Sequence, residues 1–73
     1  NPFSTITTLK LSEPLSNGTL VVFNSIGKEV RVIEHLSGTE IVIEKADLKP
    51  GIYFVKLAEG NNFLKSLKVI VSP

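Results

Sequence analysis

The chain contains no cysteine, no tryptophan and no methionine, and it has only one histidine and one tyrosine. The absence of cysteine excludes a disulfide framework and any zinc site built on thiolates. A single histidine without a thiolate also argues against the other common zinc sites, which need several nitrogen or sulfur ligands. We therefore expect neither a metal ion nor any other cofactor.

Runs of one charge and long apolar runs are absent as well. Eight basic and seven acidic residues are interspersed along the 73 residues, and the net charge is +1. Without a basic cluster the chain lacks the electrostatic footprint of a nucleic-acid or anionic-membrane binder. The longest apolar runs, at residues 20–23 and 52–55, are far shorter than the ~20 residues of a membrane span. We expect no nucleic-acid partner and no membrane insertion.

No combination of residues indicates an enzyme. The acidic residues fall mostly in predicted turns or on the solvent faces of predicted strands, so nothing brings two carboxylates into one pocket. Glu34 and His35 are neighbours, and neighbouring side chains of a strand point to opposite faces. The five glycines are placed as turn residues and form no phosphate-binding loop. We predict a non-catalytic domain.

What the chain does have is a repeated alternation of apolar and polar side chains with a period of two. Turn residues separate the alternating segments, and no apolar stripe of helical spacing persists. The pattern predicts strands at residues 5–11, 19–24, 29–35, 39–44, 52–57 and 63–71. We therefore predict one all-β domain over residues 1–73, a small antiparallel immunoglobulin-like β-sandwich of six to seven strands.

The alternation also predicts which side chains share a face. In the second strand one face carries Leu20 and Val22. In the later strands the inward positions are expected to be Val30, Val32, Ile41, Ile43, Phe63, Leu67, Val69 and Val71. Lys68 and Ile70 then point outward.

Two loops have a composition that predicts their geometry. Residues 24–27 fit a type I turn in which Gly27 takes a positive φ. In the second loop, four residues have the spacing of a tyrosine corner, the crossover of immunoglobulin-like sandwiches: Leu48, Pro50, Gly51 and Tyr53. A buried tyrosine hydroxyl needs a hydrogen-bond partner, and the nearest candidates are the backbone groups of residues 48–50.

Several short motifs follow one another in a set order. The chain opens with Asn-Pro, Gly-Lys follows the second predicted strand, Leu-x-x-Gly-x-Tyr enters the fifth, and a lysine begins a terminal apolar motif. The matching positions are Asn1, Pro2, Gly27, Lys28, Leu48, Gly51, Tyr53 and Lys68. In this order and spacing they resemble the type A C-terminal sorting domain of the type IX secretion system of Bacteroidetes, over nearly the whole chain.

The resemblance implies a secretion signal rather than an activity. Such a domain is attached to a longer parent protein, which crosses the inner membrane by its own signal peptide and is recognised by an outer-membrane translocon. A sortase-like peptidase then typically removes the domain, and the cargo reaches the cell surface or the medium. Residues 1–4 contain no basic region followed by an apolar stretch, so we expect the signal peptide elsewhere on the parent chain.

The terminal strand is the candidate recognition element. Its last residues are Lys68, Val69, Ile70 and Val71. An apolar terminal strand can add to a sheet edge on a receptor, which is a known recognition mode. The other motif positions are expected to be structural: Asn1, Pro2, Gly27, Leu48, Pro50, Gly51 and Tyr53.

Two other functions fit the composition. One is an immunoglobulin-like spacer or assembly module, such as the flagellar hook-cap-like domains that also open with Asn-Pro-Phe, although these continue with a Trp-Asp-Gly stretch. The other is a carbohydrate-binding module appended to a secreted enzyme, which would need exposed aromatic side chains on a flat face. One tyrosine and four phenylalanines are a small supply for the latter.

Overall fold

A computed structural model describes residues 2–3 and 6–73 of the chain. These residues form five strands: β1 (Pro2–Phe3), β2 (Ile6–Phe23), β3 (Glu29–Glu44), β4 (Gly51–Glu59) and β5 (Asn62–Val71). The described part contains no helix, and hence none long and apolar enough to cross a membrane. The predicted all-β fold is confirmed.

One sheet contains the five strands, in the order β1-β5-β4-β2-β3. β2 pairs antiparallel with both β3 and β4, and β4 pairs antiparallel with β5. β1 is the exception, because it lies parallel to β5. β3 therefore forms one edge of the sheet, and β5 with the short β1 beside it forms the other.

The described strands number five, against the six to seven predicted: two predicted turns do not end a strand, which leaves four long strands, and the short β1 adds one that was not predicted. β2 runs through residues 12–18 and β3 runs through residues 36–38. The pairing of β2 with β3 instead shifts register between Lys10 and Leu15, between Leu15 and Gly18, and between Gly18 and Leu20. Extra residues at such bulges bend a strand without ending its pairing. The turn residues of these segments produce bends rather than loops.

The bend of β2 lets both halves of this strand contribute to one core. Leu9 and Leu15 in the first half belong to the same cluster of buried side chains as Leu20 and Val22 in the second half. In a regular strand, residues an odd number apart lie on opposite faces, so Leu15 and Leu20 could not both face the core. The register shifts between them remove this conflict.

The core receives side chains from all four long strands and from the loop between β3 and β4. Its members are Leu9, Leu15, Leu20, Val22, Ile41, Ile43, Leu48, Tyr53, Val55, Leu57, Val69 and Val71. The inward positions predicted in the second half of β3 and at the end of β5 are therefore correct, and the tyrosine ring is buried as expected.

The inward positions predicted at the start of β3 are wrong. Val30 and Val32 are 40% and 44% exposed. Residues 30–33 carry apolar side chains on both faces, so their alternation alone is ambiguous. Ile33 pairs with the fully buried Leu20 and packs partly buried against the core, and Val32 therefore faces away from it.

Phe63 is also exposed, at 62%, although its spacing predicted that it shares the inward face of Leu67. The pairing of β4 with β5 shifts register between Leu57 and Ala58, and Phe63 pairs with Ala58. Because Leu57 is buried and Ala58 is its neighbour on the opposite face, Phe63 lies on the outer side of the hairpin. The bulge reverses the alternation at this end of β5.

A carboxylate from β4 holds the bend of β2. Glu59 Oε2 accepts hydrogen bonds from the backbone N–H of Ser16 (2.7 Å), from the Ser16 hydroxyl (3.0 Å) and from the backbone N–H of Asn17 (3.2 Å). Both N–H groups lie where register shifts interrupt the ladder, so the carboxylate provides acceptors that the neighbouring strand does not. The backbone hydrogen bonds from Ser16 and Asn17 lower the pKa of Glu59 below its ordinary value of 4.5.

Replacing Gly18 by alanine should destabilise the fold. Gly18 is buried at the bend, and an added Cβ would lie 2.6 Å from Leu15 Cδ1 and 3.3 Å from its Cγ. Since Leu15 is itself packed in the core, the overpacking should cost about 1–3 kcal/mol of unfolding free energy, measured by urea denaturation. In a double-mutant cycle, Leu15→Ala should relieve much of this cost. Strictly additive effects of the two substitutions would contradict the proposed clash.

Replacing Glu59 by glutamine should weaken the fold mainly above the acid range. A carboxyl group with a lowered pKa in the folded state contributes stability above its unfolded pKa, near 4.5, and loses it as the pH falls through the lower folded pKa. The unfolding free energy of the wild-type chain should thus fall more steeply with acidification than that of Glu59→Gln. Glu13→Gln, at an exposed carboxylate of the same bend, should retain the wild-type profile. Parallel pH profiles for Glu59→Gln and the wild type would refute this role.

Candidate recognition site on the terminal strand

The end of β5 is backed by the beginning of β4. The four predicted recognition residues pair, one by one, with the residues that enter β4 from the preceding loop. The pairs are Lys68 with Phe54, Val69 with Tyr53, Ile70 with Ile52 and Val71 with Gly51. The structure thus brings together two motifs that lie far apart in the sequence, the terminal apolar motif and the Pro-Gly-x-Tyr motif.

The side chains at the end of β5 alternate as predicted. Val69 and Val71 are 3% and 1% exposed and belong to the core. Lys68 is exposed and Ile70 is half-buried, both on the outer face of the sheet. The strand is therefore anchored by two valines and presents one cation and one apolar side chain.

The backbone at this end of β5 has a second neighbour, which the sequence did not predict. Pro2 pairs with Ile70 and Phe3 pairs with Val71 in the parallel β1–β5 pair. Pro2, expected to be structural, therefore lies beside the candidate recognition residues, whereas Asn1 lies outside the described residues. A two-residue strand gives no alternation pattern, so no sequence signal could have revealed this pair. Elsewhere on this side of β5, the described residues provide no pairing strand.

Tyr53 ties the entrance of β4 to the loop before it. Its hydroxyl donates a hydrogen bond of 2.6 Å to the backbone carbonyl of Lys49. This acceptor lies in residues 48–50, the segment predicted to supply it. Leu48 is buried, and its backbone N–H donates to the carbonyl of Lys45 at 2.8 Å. Because Tyr53 also pairs with Val69, the loop is connected directly to the terminal strand.

Pro50 and Gly51 set the direction of the chain as it leaves this loop. Gly51 has a φ of +150°, a conformation that L side chains rarely adopt. Pro50 precedes it with a fixed φ and without a backbone donor. The pair therefore turns the backbone into β4, where Gly51 faces Val71.

The turn between β2 and β3 has the positive φ predicted for Gly27. Gly27 has a φ of +87°, and its N–H donates to the carbonyl of Asn24 at 3.0 Å. The Asn24 side-chain oxygen accepts from the N–H of Ile26 (3.1 Å) and of Lys28 (2.9 Å). Asn24 and Tyr53 line the same shallow depression, so this turn lies next to the loop that carries the tyrosine.

The arrangement suits binding through the backbone and surface side chains. A shallow groove on the outer face is lined by Phe54, Lys56, Ser66, Leu67 and Lys68. It combines apolar surface with two cations, Lys68 on β5 and Lys56 on the neighbouring strand β4. In residues 2–3 and 6–73, no three His, Asp or Glu side chains come together as a metal-binding group.

One comparison with known proteins identifies a family. A family model described as the secretion system C-terminal sorting domain matches residues 1–72. No curated protein and no solved structure matches the chain.

Removing the Tyr53 hydroxyl should weaken the fold measurably. Tyr53→Phe keeps the buried ring but leaves the Lys49 carbonyl without this donor, so the unfolding free energy should fall by about 1–3 kcal/mol. The measurement is urea denaturation followed by circular dichroism. Phe54→Tyr, a change of the same single hydroxyl on the exposed neighbour, is the matched control and should be nearly neutral. An unchanged midpoint for Tyr53→Phe would show that the hydrogen bond does not stabilise the fold.

Proposed function

Because the chain belongs to the family of secretion system C-terminal sorting domains, we propose that it is the sorting tail by which an outer-membrane translocon captures a longer parent protein. Family membership implies handling by the type IX secretion system and export to the cell surface or the medium. Domains of this family act as sorting signals on a cargo. In our proposal the 73 residues form a single domain, and a sortase-like peptidase acts at its junction with the cargo.

The observation that carries the proposal is the position of β5 at the edge of the sheet. The edge of β5 that points away from β4 pairs with β1 at Ile70 and Val71. The described residues offer the rest of this edge no partner strand. An edge strand offers unpaired backbone N–H and C=O groups to an added strand. We infer that the receptor pairs with β5 by strand addition, along the part that β1 leaves open.

Lys68 is the side chain best placed to give this contact specificity. It is exposed on the outer face, and it takes no part in the single ion pair of the described residues, between Arg31 and Asp47. It is held in register by Val69 and Val71, which are anchored in the core. A positioned cation of this kind can meet an acidic group of the receptor. Ile70 adds a half-buried apolar contact beside it.

A rigid support behind β5 is consistent with such a role. We infer that the loop of residues 48–50 and Tyr53 form a tyrosine corner and that the sheet folds over into two layers, as in immunoglobulin-like sandwiches. In support of this, Arg31 near the start of β3 donates to the carbonyls of Glu44 (2.5 Å) and Lys45 (3.2 Å), at and just beyond the end of the same strand. β3 must therefore fold back on itself.

Removal of the Lys68 side-chain charge should impair export. The domain is fused to a reporter that carries a signal peptide and is expressed in a host with the type IX system. Lys68→Ala should deliver severalfold less reporter to the surface and leave the remainder in the periplasm. Since Lys68 is exposed, the purified Lys68→Ala domain should unfold at the same urea concentration as the wild-type domain.

Two further variants make this test specific. Lys10→Ala removes an exposed cation on β2, where Lys10 pairs with Glu40 of β3 and lies outside the groove, and it should be exported normally. Deletion of residues 68–73 should abolish delivery, but it also removes two buried valines, so the point variants decide the question. Normal delivery of the reporter by Lys68→Ala would exclude Lys68 from the contact, and normal delivery by the deletion would exclude the terminal strand.

A further inference from the structure

The sheet carries an apolar patch on the face that points away from the core. We call this the outer patch; it consists of Val21, Phe23, Val32, Ile52, Phe54 and Ile70. Val32, Ile52 and Phe54 are 44%, 44% and 43% exposed, and the other three are half-buried. The patch spans the four long strands, on the side of the sheet opposite the buried core.

The charged side chains of this face are arranged in one direction across the patch, with acids on the β3 side and bases on the β4–β5 side. Phe23 pairs with Glu29 on β3 and with Phe54 on β4, and Phe54 pairs with Lys68 on β5. One row across the sheet therefore runs Glu29, Phe23, Phe54, Lys68. It begins with an acid at the β3 edge, continues through two aromatic rings, and ends with a base on β5.

The next row across the sheet carries a cation but no acid. Val21 pairs with Val32 on β3 and with Lys56 on β4, so the cation again lies on the β4–β5 side. The Lys56 ammonium lies 5.4 Å from the centre of the Phe23 ring, which belongs to the first row. Glu34, two positions beyond Val32 on the same face of β3, is exposed and adds a second acid to that side.

This order makes the face complementary to itself. When two copies stack their outer faces about a two-fold axis parallel to the strands, β3 of one copy lies over β5 of the other. Glu29 then lies opposite Lys68 of the second copy, and Phe23 lies opposite Phe54 of the second copy. Apolar sheet faces pack in this way at a spacing of about 10 Å.

We propose that the outer patch binds a second copy of this chain and that the contact is an isologous, face-to-face dimer. Any partner for this face would need a matching row of base, aromatic, aromatic and acid. A second copy of this chain, turned about the two-fold axis, provides that row. The patch is only about 20 Å wide, four strands at about 4.8 Å each. So small an interface belongs to the weak, concentration-dependent class.

Analytical ultracentrifugation of the 73-residue chain tests the proposal. At low ionic strength the weight-average mass should rise from monomer toward dimer as the concentration is raised to about 1 mM, since salt screens the rim charges. Glu29→Lys and Lys68→Glu should each weaken the dimer by about tenfold or more, because each places like charges opposite one another. The double variant exchanges the two charges and should restore dimerisation.

Matched controls locate the contact. Glu13→Lys and Lys65→Glu make the same charge changes outside the outer patch and should leave the dimer unaffected. Circular dichroism establishes that every variant is folded. A monomer at all concentrations would overturn the proposal, and so would a dimer that tolerates both Glu29→Lys and Phe54→Ser. The experiment uses no secretion machinery, so its failure would leave the sorting function untouched.

Discussion

The bend of β2 is the constraint on which the rest of the fold depends. A strand of this length would bury alternate side chains on one face only, and its two halves could not close around a common core. The interruption at residues 16–18 changes the alternation, and Gly18 pairs there with Leu36 of β3 and Glu59 of β4. The Glu59 carboxylate then accepts hydrogen bonds from the backbone N–H groups of Ser16 and Asn17, where the bend interrupts the pairing with the neighbouring strand. The core shared by the two halves of β2 therefore depends on this short segment.

The candidate recognition site at the end of β5 is supported by the same core, through side chains far from the bend of β2. Tyr53 and Val69 are both buried and pair across β4 and β5, so the hydrogen bond from Tyr53 to Lys49 stiffens the terminal strand from behind. Stiffness matters for a strand that binds by its edge, because a preorganised edge loses less conformational entropy on pairing. In our proposal, the sorting signal is therefore a property of the whole fold that is displayed at one strand.

The sequence predicted those features that depend on local chemistry. Ile41 and Ile43, like the terminal valines, occupy every second position of a strand, and their burial was predictable because a pleated strand turns every second residue to the same face. The partner of the Tyr53 hydroxyl was predictable because the loop beside it offers the nearest free carbonyls. The bulges were not, because a register shift results from the fit of two strands and leaves no mark in either alone. Phe63 was misplaced for this reason.

The parallel pairing of β1 with β5 gives the domain a mechanical polarity. Because Pro2 lies beside Ile70 and Phe3 beside Val71, the chain enters β1 at one end of this pair and leaves β5 at the opposite end. A tension between the two ends of the chain therefore acts along the strand axis. It loads the backbone hydrogen bonds of the pair together, in shear, whereas a hairpin pulled at its open end yields one bond at a time. A domain pulled lengthwise between a cargo and a receptor would resist through this junction first.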